Sequence, residues 1–270
     1  MKKFKSIITI FLALSASTLI EAKELSQNFK DTKVLADKGE AKAQCELAIL
    51  YLRGKEVSKD DKLAIEYFEK SAEQGYASAQ CYLGGFYMRG AAGMPQDDQK
   101  AFEYHTKAAA QNYPNALYKL GLHYLIKEQN HAKAFELFEN AANQDQKFAQ
   151  YELANLYLRG NGVEQNYEKA FEYFQKATKG GIPDVLLSDA LYTLATLYTE
   201  GKGVEKDDAK AFEYYKQAAE KKSSSSAFHY TLGKLYIEGK GVEKNEEEGL
   251  KWIKKSASKG YLDAKEFLKK

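Results

Sequence analysis

The sequence predicts an all-α solenoid, and three observations carry that prediction. A tyrosine recurs at Tyr51, Tyr87, Tyr124, Tyr157, Tyr198 and Tyr236, spaced 36, 37, 33, 41 and 38 residues apart. A leucine stands four residues before each one, at Leu47, Leu83, Leu120, Leu153, Leu194 and Leu232. A second pattern follows in each unit, an alanine four residues before a ring, as in Ala64 and Phe68 or Ala170 and Phe174. Periods of this length mark serial helical units that bury their apolar faces on one another.

The first helix of each unit, helix A, carries the leucine and tyrosine on one face, since residues i and i+4 are neighbours on a helix. Between them lies a small residue (Ala48, Gly84, Gly121, Ala154, Ala195 or Gly233) that lets a neighbouring helix come close. Helix A is expected to stop at Gly54, Gly90, Gly160, Gly201 and Gly239, where glycine takes the left-handed conformation without steric cost. A short loop follows, pinned by Val57, Val163, Val204 or Val242. Asp60, Asp97 and Asp207 are placed to cap helix B. Helix B presents an alanine–aromatic–alanine face suited to antiparallel packing. In the second unit His105 takes the place of the ring and is expected to pack as one.

The string Ala-Gln-Tyr-x-Leu-Ala-x-Leu-Tyr at Ala149 to Tyr157, Gly-x-Gly-Val at Gly160 to Val163 and Lys-Ala-Phe-Glu-Tyr-Phe-x-Lys-Ala at Lys169 to Ala177 resemble the Sel-1-like repeat, a relative of the tetratricopeptide repeat. The resemblance implies a right-handed α/α solenoid of six hairpins. It also implies an adaptor that binds other proteins rather than an enzyme.

Residues 1–22 read as a bacterial secretory signal peptide: Lys2, Lys3 and Lys5, an apolar run from Ser6 to Ile20, and small-residue cleavage after Ala22. The run is too short to span a bilayer, so no stable membrane insertion is expected after its removal. An N-terminal capping helix is expected over 23–42. Repeats follow at 43–78, 79–115, 116–148, 149–189, 190–227 and 228–263, then a partial seventh helix at 264–270. The third repeat has lost its loop glycines. The fifth has gained residues around Gly180 to Asp189, which predicts Pro183 in the first turn of a longer helix A and a change of curvature at 180–189.

The whole chain has 40 basic and 38 acidic side chains. Without Lys2, Lys3, Lys5 and Glu21 both counts become 37, and a neutral chain gives no footing for nucleic acid. Cys45 and Cys81 occupy the same place in adjacent units. Helix spacing of roughly 8–10 Å favours two thiols over a bridge. A cysteine-rich branch of the family staples each hairpin with its own disulfide, and this chain has too few cysteines for that.

That branch raises the alternative of a cell-wall-related enzyme that binds or hydrolyses β-lactams. Ser256 to Lys259 has the Ser-x-x-Lys pattern, but Ser-Asp-Asn and Lys-Thr-Gly are missing and both residues fall on the ordinary end of helix B. His105, His123, His131 and His229 lack ligand spacing, so neither a metal nor another cofactor is expected. The Gly-Lys-Gly runs at Gly201 and Gly239 lack a phosphate-loop frame and read as helix stops.

By analogy with tetratricopeptide arrays, a concave groove would be lined by Tyr118, Tyr151, Tyr192 and Tyr230, with Arg53, Arg89, Arg159, Glu200 and Glu238 beyond them. Tyrosine and arginine are enriched at binding hot spots, although these tyrosines also suit packing between layers. The arginines precede the glutamates along the chain, which suggests a groove positive at one end and negative at the other. These readings predict a monomeric, non-enzymatic interaction module, periplasmic or secreted, that holds a protein or peptide. It would serve as an envelope scaffold or as an immunity protein against a secreted toxic effector.

Overall fold

The computed structural model describes residues 26–270, so the predicted signal peptide lies outside the described residues. These residues form fourteen α-helices and no strand. They divide into two compact units, one ending at Lys107 and the other Ala108–Lys270.

In the first unit α1 (Gln27–Asp37) precedes α2 (Ala41–Arg53), α3 (Asp61–Glu73), α4 (Ala77–Arg89) and most of α5 (Asp98–Ala109). Helix α1 lies within the 23–42 stretch and buries Phe29, Thr32 and Ala36. Ser26 caps it by accepting from the Phe29 amide. Leu47, Ala48, Ala64, Phe68 and Leu83 are wholly buried at the centre of this unit. Tyr51 takes the edge of Phe29 at 5.8 Å between ring centroids and stacks on Tyr67 at 6.1 Å. His105 is buried, and a Cβ added at Gly84 would lie 2.6 Å from its ring. The histidine therefore packs as the ring it replaces, against a position that must stay glycine.

The second unit holds α6 (Pro114–Ile126), α7 (His131–Ala142), α8 (Lys147–Arg159), α9 (Tyr167–Ala177), α10 (Asp184–Glu200), α11 (Asp208–Glu220), α12 (Ser226–Glu238), α13 (Glu246–Ser258) and α14 (Leu262–Phe267). Each packs on the next in sequence, which is how an α/α solenoid is built. The ring pattern repeats: Phe135 meets Tyr157 edge-on at 5.4 Å and Tyr157 stacks on Tyr173 at 6.0 Å, then Phe171, Tyr198 and Tyr214 do the same. The tyrosine that sets the period thus joins helix B of one repeat to both helices of the next. In the last repeat Ile253 and Gly249 replace ring and alanine, and α12 approaches α13 through Gly233.

The expected helix stops are all present. Gly54, Gly90, Gly160, Gly201 and Gly239 lie at φ between +60° and +71°. Asp60, Asp97 and Asp207 accept from the amides of Leu63, Lys100 and Lys210. Asn130, Asn166 and Asn245 cap the other helices B in the same way. The second loop glycine is not a helix stop, contrary to the reading of the Gly-Lys-Gly runs. Gly162, Gly203 and Gly241 sit against the backbone of His131, Tyr167 and Asp208, where the preceding helix B begins. A side chain there would hold the two layers apart.

The long helix A of the fifth repeat is α10, 17 residues against 13 in α8. Pro183 occupies its N-cap rather than its first turn. The 180–189 stretch lies inside the second unit, and the compact units divide earlier, after Lys107. The last helix, α14, is six residues long and starts at Leu262, before the 264–270 stretch, and the exposed Leu268 follows it.

Candidate functional site

The four tyrosines are half-buried and packed on rings. Tyr118 lies 6.0 Å from Phe138 in its own hairpin and 5.5 Å from Phe148 in the next. Tyr151 meets Phe174, Tyr192 lies between Tyr215 and Phe228, and Tyr230 meets Tyr261 and Phe267. Burial pushes the Tyr118 hydroxyl up to about 12 and raises those of Tyr151 and Tyr192. Packing between layers is thus one function of these rings, and each also keeps a partly exposed edge.

The charged candidates divide by pairing. Glu200 bonds Lys202 at 2.8 Å and Glu238 bonds Lys234 at 2.9 Å. Arg53, Arg89 and Arg159 are exposed, and among the described residues no carboxylate pairs with them.

Of the nine residues singled out, Tyr151 and Arg159 share one cleft in the second unit, about 370 Å³ in volume. Its walls are Leu125 from the end of α6, His131 at the start of α7, and Tyr151, Glu152, Asn155 and Leu156 along α8, with Asn161 in the following loop. The third repeat, shorn of its loop glycines, begins α7 only five residues after Ile126, which puts His131 here. Gly162 lies against the His131 backbone, and the imidazole Nδ1 is buried without a hydrogen bond.

Glu152 was not among the residues the sequence singled out. It is half-buried, and it has neither an ion pair nor a hydrogen bond among the described residues. Burial raises its carboxyl above the usual range, and the charge of Arg159 partly opposes this. A signal was present in the sequence: Phe148, Ala149, Asn155 and Leu156 fill the helical neighbour positions where Glu66 and Glu172 find Lys70 and Lys176.

Elsewhere the chemistry is structural. Ser256 is fully buried and donates its hydroxyl to the Ser226 carbonyl at 2.7 Å, tying the end of α13 to the start of α12. Ser71 makes the equivalent tie to the Ala41 carbonyl, and Ser188 makes the reverse one, from the start of α10 to the Ala218 carbonyl near the end of α11. Cys45 and Cys81 are thiols, with no disulfide between them, and burial pushes the Cys45 thiol up to about 11. Among the described residues no cluster of three or more His, Cys, Asp or Glu could hold a metal ion. No described helix is long and apolar enough to cross a membrane.

Serial antiparallel helix pairs, a small-residue seam and a ring ladder between layers define a helical-repeat protein of the α/α solenoid class. The Sel1 repeat matches residues 41–76, 77–113, 114–146, 147–182, 188–223 and 226–261. The chain belongs to the Sel1 repeat family, whose fold serves protein–protein interaction. Among solved structures it is similar to a protective antigen present in uropathogenic Escherichia coli strains displaying an SLR fold, with 32% identity and a TM-score of 0.75. That match covers 88% of this chain and 50% of the antigen, so this chain spans half the length of that protein. It is also similar to a Sel1 repeat protein from Oxalobacter formigenes, with 27% identity, a TM-score of 0.69, and 90% and 96% of the two chains covered. No curated protein matches the chain by sequence.

Proposed function

We propose that this protein is a non-catalytic module of the bacterial envelope that binds a protein partner through its A helices. The observation that carries the reading is the cleft on α8. There an acid and an arginine, Glu152 and Arg159, stand unpaired beside the partly exposed ring of Tyr151. Surface charges on a solenoid are ordinarily settled by neighbours one helical turn away, and these two are not. A partly exposed tyrosine and an arginine in one cleft have the composition of a binding hot spot.

The predicted signal peptide at 1–22 supports a periplasmic or secreted location. The burial of Ser256 weighs against a β-lactamase-like nucleophile, which needs an accessible hydroxyl and a positioned base. Within this reading the partner is either an envelope component held by a scaffold or a toxic effector held by an immunity protein.

The test is capture from envelope and secreted fractions by residues 23–270, against a variant with Arg53, Arg89 and Arg159 changed to glutamate. A single partner lost on charge reversal supports the reading, and capture of none under either condition overturns it. Protection of cells from an effector encoded beside the gene would assign the immunity role; lack of protection with a partner still bound would assign the scaffold role.

A further inference from the structure

We propose that the cleft between α6 and α8 is an anchor site for a basic side chain, arginine or lysine, of a protein partner, with the cation seated on Glu152. The inference rests on the protein-binding reading above and names the chemistry that one part of the surface would select.

Four observations converge on it. The Glu152 carboxylate is half-buried in the wall of the cleft and has no internal cation or donor. A carboxylate withdrawn from water without a partner is unfavourable, and an incoming cation relieves that cost on binding. The pairing pattern along other helices gives the contrast. Glu46, which occupies the register of Glu152 in the first repeat, is exposed and lies 3.8 Å from Lys42. Glu152 instead has Phe148 and Leu156 four residues away on either side.

The shape suits a long basic side chain. Leu125 and the half-buried Tyr151 offer apolar surface for its methylene stem, and the volume of about 370 Å³ is enough for one such chain. Asn155 and Asn161 add amide groups to the same wall. A guanidinium or ammonium beside an aromatic ring and a carboxylate is held by both.

Arg159 sets the orientation. It lies two turns further along α8, exposed, close enough to act on the Glu152 carboxyl but not paired with it. A cation must therefore enter on the Glu152 side, and a carbonyl or acidic group of the same partner segment falls to Arg159. Burial of the Glu152 carboxyl also makes it a stronger acceptor for a charged donor than an exposed glutamate.

The experiment is a titration of the ¹⁵N-labelled full chain, following backbone amides by NMR, with N-acetyl-arginine methylamide as the probe. The matched neutral probe is N-acetyl-norleucine methylamide. Expected are saturable shifts at Tyr151, Asn155 and Asn161, with a Kd of roughly 1–10 mM for a single anchored residue. The neutral probe should bind at least ~10-fold more weakly, as should the arginine probe to Glu152→Gln, because one charge-assisted contact is lost. Arg159→Ala should keep the affinity or raise it a few-fold, since a like charge is removed.

Equal binding of the norleucine probe would overturn the proposal, leaving a merely apolar cleft. So would free zwitterionic arginine binding ~10-fold more tightly than the blocked probe, which would mark a free amino-acid site. Loss of binding in Arg159→Ala with none in Glu152→Gln would mean that the cleft reads an anion. No saturable shift up to ~50 mM would also defeat it. The two readings fail separately: the probe can bind although no partner is captured, and a partner can be captured undiminished by Glu152→Gln.

Discussion

His229 places Nε2 3.0 Å from the carbonyl oxygen of Ala219, and so does for the sixth repeat what a glutamine does elsewhere. Gln44, Gln80 and Gln150 each donate to a carbonyl eight residues back, at Ala36, Ala72 and Ala142. These bonds close the turn between one helix B and the next helix A. In the sixth repeat the connection is longer, the acceptor lies ten residues back, and Ser224 donates to the same carbonyl. The imidazole also stacks on Trp252 at 5.5 Å.

That substitution makes stability depend on pH. Burial, helped by the charges of Lys255 and Lys259, lowers the His229 pKa from the ordinary 6.5 to about 4. The unfolded ring takes its proton first, so the contribution is complete above pH 6.5 and is lost as pH falls toward 4, up to ~3 kcal/mol in all. The depressed carboxyls of Asp37, Asp145 and Asp207 act in a separate window, since their contributions are present above an ordinary pKa of 3.8 and decline below it. Urea unfolding from pH 7 to 4 should show the loss, and His229→Gln should flatten the curve. An unchanged slope in the variant would remove the ring from the explanation.

Gly201 and Gly203 have nearly the same backbone, φ +65° and +70°, in different surroundings. An added Cβ at Gly201 comes no closer than 3.3 Å to the Lys206 Cβ and 3.6 Å to its backbone nitrogen, whereas at Gly203 it overlaps the Tyr167 carbonyl of the preceding repeat. Gly201→Ala should therefore cost about the ~1–2 kcal/mol of a left-handed alanine. Gly203→Ala should cost clearly more. Thermal unfolding of the two variants side by side measures the difference.

Gly121 lets α6 pack directly on α7, since a Cβ there would fall 2.6 Å from the Phe138 ring. Gly121→Ala should destabilise by ~1–3 kcal/mol through overpacking. Adding Phe138→Leu should recover part of that loss, giving a coupling energy in a double-mutant cycle by chemical denaturation.

Ser256→Ala removes the hydroxyl that joins α13 to the Ser226 carbonyl. The expected result is a stability loss of ~1–2 kcal/mol, as for a buried hydrogen bond with its acceptor left unmet. Partner capture should be unchanged at temperatures where the variant stays folded. A loss of activity toward a β-lactam in this variant would instead restore the enzyme reading.

The repeat was legible because its signals are local. A leucine four residues before a tyrosine, a glycine after the helix and an aspartate before the next act within a few residues, so the sequence by itself determined the helices, their stops and their order. The small residue in helix A could also be read in advance, and Gly84 and Gly121 receive His105 and Phe138 where it predicted a close approach.

The role of the second loop glycine was decided in three dimensions, because its partner is the backbone of another repeat, 31 residues earlier for Gly162 and His131. Glu152 was hidden for the same reason. Its sequence neighbours show only that no lysine is in reach, while the Leu125 wall and the early start of α7 at His131 come from the preceding layer. Tertiary stacking decided that Tyr151 and Arg159 share a cleft, whose other walls are Leu125 and His131, whereas Glu200 and Glu238 pair with Lys202 and Lys234, local neighbours in the sequence. Secondary structure follows from contacts within one or two helical turns, but the desolvation and pairing of a charge depend on whatever the next layer brings against it.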